Sequence, residues 1–103
     1  MRSLLLFAVL LLLLAPGCAL VDPSPQAKVE QDVAAKLWLT NCAGCHGLNG
    51  QPSDTIARDL RNWQGTFQIL DSTLNTGPSV MPQFPEIDEA SRHLLFDYIR
   101  KFH

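Results

Sequence analysis

An all-α fold with one small core is expected for this 103-residue chain. Apolar residues return every three to four positions in three separate segments, which is the helical period. No segment alternates apolar and polar residues over the length a half-buried strand requires. Gly and Pro gather between the segments, where they break regular structure. The length suits one domain, and no internal repeat is visible.

The first segment covers residues 26–41. Val29, Val33 and Leu37 recur at steps of four, with Ala34 and Trp38 one residue on. Gly44, Gly47, Gly50 and Pro52 then interrupt the pattern, and residues 47–62 are expected to form an irregular loop with Leu60 pointing inward. Thr66 is placed to cap a short helix running to Asn75, with Phe67, Leu70 and Leu74 on one face and Gly77-Pro78 as its stop. Asp88 is placed to cap the last helix. Leu94, Leu95, Tyr98, Ile99 and Phe102 form its apolar stripe, and Arg100, Lys101 and His103 complement the negative end of its dipole. His103, as the last residue, is expected to fray.

The amino-terminal residues read as an export signal rather than as part of the fold. Arg2 supplies the positive start, and Leu4 to Ala15 is an unbroken apolar run of 12 residues. That run suits a signal peptide and falls short of the ~20 residues that span a bilayer. Leu14-Ala15-Pro16-Gly17-Cys18 resembles a bacterial lipoprotein signal, in which the Cys becomes the first mature residue and carries lipid. That pattern prefers Leu, Val or Ile three residues before the Cys, where this chain has Ala15. Ordinary cleavage near Ala19 would instead discard Cys18. The expected organisation is a signal over 1–17, a lipidated Cys18 with a Pro-rich linker over 18–25, and a folded domain over 26–103. Asp22-Pro23-Ser24-Pro25 is the stiff part of that linker. The formal charge is −2, and loss of Arg2 with the signal makes the mature chain one unit more negative. Mild acidity argues against nucleic acid as a partner and favours basic docking faces on partner proteins.

Cys42-Ala43-Gly44-Cys45-His46 carries the chemistry. It reads C-x-x-C-H, the attachment signature of a c-type haem. Two thiols must reach the two vinyl groups on one side of a porphyrin, and two intervening residues set that reach on one helical turn. The adjacent imidazole then sits beneath the iron as an axial ligand. A bare C-x-x-C is also compatible with a thiol–disulfide redox pair or half a zinc site. A zinc site needs two more ligands, and no second C-x-x-C or H-x-x-x-H lies downstream. A redox pair of the thioredoxin type should follow a strand, and none is expected. Of three cysteines, the haem pair leaves Cys18 over, which lipidation would employ.

Met81 is the candidate for the opposite side of the iron. It is the one methionine besides Met1 and lies in a non-helical stretch, Ser79-Val80-Met81-Pro82-Gln83-Phe84. A thioether is a soft ligand, and His/Met pairs raise haem potential. Pro78, Pro82 and Pro85 stiffen the stretch. His93 and His103 are the alternative ligands, and a packing role is the alternative for Met81.

With these features in order, residues 27–103 resemble the class I c-type cytochromes. The specific parts are Cys42-Ala43-Gly44-Cys45-His46-Gly47 and Met81-Pro82 with Phe84; Leu95-Phe96-Asp97-Tyr98-Ile99-Arg100 looks like the family's terminal helix. The resemblance implies that the first and last helices cross closely, with Ala34 as the small residue at the crossing and Trp38 and Tyr98 as aromatics beside it. It implies a haem contact at Leu60 and a haem-edge aromatic at Trp63, for which a core-edge Trp is the alternative. Arg58 and Arg61 are candidate propionate partners by charge alone, with a solvated role as the alternative. Many members place a proline twelve residues after the axial His, whose carbonyl orients the imidazole; here that position is Arg58. Another carbonyl, near Pro52, is then expected to take the His46 Nδ1–H.

The expected function is one-electron transfer by a single covalent haem c. Cys42 and Cys45 hold it, His46 and Met81 ligate it, and no site remains for a substrate, so an enzyme is not expected. The partners are redox proteins, donor and acceptor, with the membrane reached through the lipid anchor on the periplasmic face. A gas sensor or haem enzyme with a labile sixth ligand is the alternative, as is a thiol–disulfide oxidoreductase using Cys42 and Cys45.

Overall fold

The computed structural model describes residues 24–53 and 56–103. The expected export signal, Cys18 and most of the linker lie outside them. Four helices and no strand make up the described residues: α1 (Pro25–Asn41), α2 (Ala43–His46), α3 (Phe67–Thr76) and α4 (Glu89–Ile99). None of these helices is long and apolar enough to cross a membrane.

α3 and α4 begin at the caps the sequence marks for them, while α1 begins at Pro25, inside the expected linker, because Ser24 caps it. Ser24 Oγ accepts the Ala27 N–H at 3.2 Å, with Pro25 in the first turn of α1. Thr66 Oγ1 accepts from Ile69 at 3.3 Å, and Asp88 Oδ1 from Ser91 at 2.8 Å. The Ser91 N–H holds the Asp88 carboxyl below the usual carboxylate range. α3 runs one residue beyond Asn75 before Gly77 closes it, with φ of 56° and its N–H on Thr73 O at 3.0 Å. Thr66→Ala is expected to lower unfolding free energy by about 1 kcal/mol, read as an earlier denaturant midpoint with an unchanged helical spectrum.

α1 packs against α4, and α3 packs against α4. The core is one cluster built on Trp38, Leu70, Leu74, Phe84, Leu95 and Ile99. On α1 the buried residues are Ala34 and Trp38, while Val29 is 57% and Val33 40% exposed. Of the stripe Val29-Val33-Leu37, only Leu37 packs against the core; the buried face runs through Ala34 and Trp38. One step along a helix rotates a side chain by about 100°, and the crossing takes the stripe with a small residue beside a large one. Ala34 lets the helix backbones approach, and Trp38 fills the space below.

The carboxyl terminus docks rather than frays. Asn62 N–H donates to Phe102 O at 2.9 Å, and the His103 ring nitrogen Nδ1 lies 3.2 Å from Asn62 Oδ1. The Phe102 ring meets Trp38 edge-on at 4.8 Å. Gly50, at φ of 83°, lies under that ring, where a Cβ would come within 2.7 Å of Phe102 Cδ2. Leu60 N–H donates to Gly50 O at 2.8 Å, so the two ends of the irregular loop are tied to each other and its last residue to the carboxyl terminus.

Candidate functional site

The end of α1 delivers Cys42 directly into α2. Cys42 N–H continues the α1 ladder to Trp38 O at 2.9 Å, and Cys42 O then accepts from Cys45 at 3.2 Å and from His46 at 2.9 Å. Residues at i, i+3 and i+4 share a helix face, so Cys42, Cys45 and His46 are presented together. Gly47 follows at φ of 80°, with its Cα against the Gln51 carbonyl; any side chain there would collide with that backbone. The Gly47 carbonyl is held by Trp38 Nε1–H at 3.0 Å. The turn is thus pinned from below by the same Trp38 that fills the helix crossing.

His46 is oriented by the loop. Its Nδ1 lies 2.9 Å from Arg58 O. A carbonyl can only accept, so the proton sits on Nδ1 and the Nε2 lone pair is left for a metal. The expected partner near Pro52 is corrected here: the carbonyl twelve residues on serves without a proline, because the bond uses the backbone and not the side chain.

Met81 comes to the same place from the segment between α3 and α4, far from His46 in the chain. The segment between α3 and α4 turns through Ser79, at φ of 56°, and Met81 N–H donates to Pro78 O at 3.1 Å. Cys42, Cys45, His46, Met81, Pro82 and Phe84 all line one cleft. The cleft is open to solvent on one side, and Asn41, Ile56, Ala57 and Val80 complete its lining. Neither His93 nor His103 lines it. His93 stacks face to face on Phe67 at 3.7 Å.

The other sequence candidates sit elsewhere. Leu60 and Trp63 pack against the core cluster and are absent from the cleft lining; Trp63 meets Phe96 edge-on at 6.0 Å. Arg61 pairs with Asp59 at 2.7 Å, both partly exposed, and its hydrogen bond holds the Asp59 carboxyl below the usual range. Arg58 offers the site its backbone carbonyl, while its side chain is exposed.

The two thiols differ. Cys42 is buried and Cys45 exposed, and they form no disulfide. Burial, with a smaller contribution from Cys45, pushes the Cys42 thiol up to about 11. That shift disfavours Cys42 itself as an attacking thiolate. Among the described residues, no three His, Cys, Asp or Glu converge on a bare metal ion.

Sequence reasoning missed Arg92, the one buried charged residue among the described residues. The signal was available: it lies three before Leu95 and seven before Ile99, on the buried face of α4.

A family described as cytochrome c oxidase, cbb3-type, subunit III matches residues 30–99. No curated protein and no solved structure matches the chain. The matched stretch opens within α1, takes in the C-x-x-C-H turn and the Met81 segment, and closes on the last residue of α4.

Proposed function

Because the chain belongs to this family of c-type cytochrome domains, we propose that it is a one-electron carrier holding a single covalent haem c with His46 and Met81 as axial ligands. The observation that carries the reading is the cleft: two thiols and an imidazole from one turn, and a thioether from a distant segment, line the same space. The residues fit the group. Cys42 and Cys45 stand one turn apart for thioether formation, His46 is held in the tautomer that leaves Nε2 free, and the rest of the lining is mainly apolar.

When bound, the haem supplies the one-electron Fe³⁺/Fe²⁺ couple that no side chain here provides. The chain's own part is to keep the site the same in both states. Arg58 O holds the His46 ring, Trp38 holds the turn through Gly47, and the prolines around Met81 restrict its segment. Apolar walls disfavour the more highly charged state and exclude water from the ligands. Were His46 and Met81 both to hold the metal, no ligand position would be left for a substrate, which supports electron transfer as the role.

In this proposal residues 1–17 direct export, Cys18 carries a lipid, and residues 18–25 hold the domain off the periplasmic face of a membrane. The apolar run after Arg2 and the third cysteine support it. The partners are a donor and an acceptor protein. The matching family's description names an oxidase subunit, which is consistent with service inside a larger respiratory complex.

Periplasmically matured protein tests the reading. Oxidised and reduced visible spectra are expected to be those of a low-spin c-type haem. The ferric protein is expected to show the weak near-infrared band of a Met–iron bond, and Met81→Ala is expected to lose it. Retention of the band in Met81→Ala would remove Met81 as ligand, and rapid CO binding by the reduced wild type would place the protein among gas-binding haem proteins.

A further inference from the structure

Arg92 is 5% exposed, and its guanidinium joins two elements. Nε donates to Ile87 O at 2.7 Å and Nη2 to Phe84 O at 2.9 Å. Nη1 reaches Asn75 Oδ1 at 2.7 Å, Asp71 Oδ1 at 2.8 Å and Asp71 O at 3.2 Å. The first two acceptors belong to the segment that carries Met81; the others belong to α3.

Phe84 and Ile87 anchor that segment in the core, but it has few hydrogen bonds to the rest of the fold. Its bonds from Met81 N–H to Pro78 O and from Ile87 N–H to Phe84 O are internal. The Phe84 N–H reaches Leu74 O on α3 at 2.8 Å, and the Gln83 amide reaches Thr76 O at a long 3.5 Å. Phe84 itself lines the cleft beside Met81 and lies three residues from it. We propose that Arg92 is a positioning residue for the Met81 ligand: its planar fork fixes the Phe84 and Ile87 carbonyls to α3 and so holds the thioether at the cleft.

The chemistry asks for such a device. A neutral thioether is a weak ligand, and its occupancy of a metal falls as its segment gains freedom, because ligation must then order that segment. An apolar residue at position 92 would pack but leave two carbonyls without donors. A lysine would keep the charge and lose the planar fork that meets acceptors on both elements at once.

The inference rests on Met81 being the axial ligand, so the experiment separates the two. Imidazole is titrated into ferric, haem-loaded protein, with the near-infrared band followed in parallel. Arg92→Lys is expected to bind imidazole about tenfold more tightly than wild type and Asn75→Ala about threefold, as held hydrogen bonds to a charged group are lost. Asn75→Asp, which keeps the acceptor, is expected to match wild type. Thr66→Ala weakens α3 at its far end and is expected to leave the affinity within about twofold. If Arg92→Lys does not fold, Asn75→Ala against Asn75→Asp decides. Unchanged affinity in Asn75→Ala, or an equal rise in Thr66→Ala, overturns the positioning role. A band that survives Met81→Ala instead overturns the ligand assignment.

Discussion

Replacing Cys42 and Cys45 together by serine is expected to leave a polypeptide from which acidified acetone removes all pigment. Wild-type protein should keep its colour in the precipitate under the same treatment. The reason lies in α2: the two sulfurs stand on one helix turn beside His46, and Cys42 is already buried at the base of the cleft. Once both thioethers are gone, only axial ligation and apolar contact hold the macrocycle, and acid protonates the imidazole that supplies the stronger ligand. Cys45→Ser alone is expected to retain pigment through Cys42 with a shifted spectrum. If wild-type protein gives up its pigment to acetone, or titrates for two free thiols after denaturation, covalent attachment is wrong and the dithiol reading returns.

Trp38→Ala is expected to remove about 3–5 kcal/mol of stability, a large share of the ~5–15 kcal/mol that holds a domain folded. Trp38 is 1% exposed. Its ring lies 4.8 Å from Phe102, 6.3 Å from Tyr98 and 6.1 Å from His46. Its Nε1–H is the donor to Gly47 O, so the truncation opens a cavity under the helix crossing and also frees the turn that follows His46. Trp38→Phe keeps most of the volume and loses the hydrogen bond, and about 1–3 kcal/mol is expected for it. Denaturant unfolding of matured protein, followed by haem absorbance, measures both. A loss under about 1 kcal/mol for Trp38→Ala would show that the crossing is held by something other than this ring.

The helices were legible because their signals are local. Thr66 and Asp88 each sit where a side-chain oxygen can take an N–H three residues on, and Gly77 sits where a left-handed residue ends a helix; Ser24, read as linker, caps α1 in the same way. The chemistry was legible for the same reason: a haem-binding turn needs its thiols and imidazole within five consecutive residues, and chain order shows them. Which stripe of α1 faces inward was not legible. Val29-Val33-Leu37 and Ala34-Trp38 are both apolar and adjacent, and only the approach of α4 selects between them. The partner of His46 was missed because an expectation tied to a proline side chain obscured that the bond needs only a carbonyl.

By itself, then, the order of residues determined the helical class, the helix limits and the pentapeptide that defines the chemistry, since all of these depend on neighbours within a turn or two. Tertiary structure alone decided that Met81 shares a cleft with His46, that Arg58 O orients the imidazole and that Arg92 ties the Met81 segment to α3. Those relations join residues 5 to 35 positions apart in the chain, and their geometry is set by how the helices pack, which no local pattern encodes.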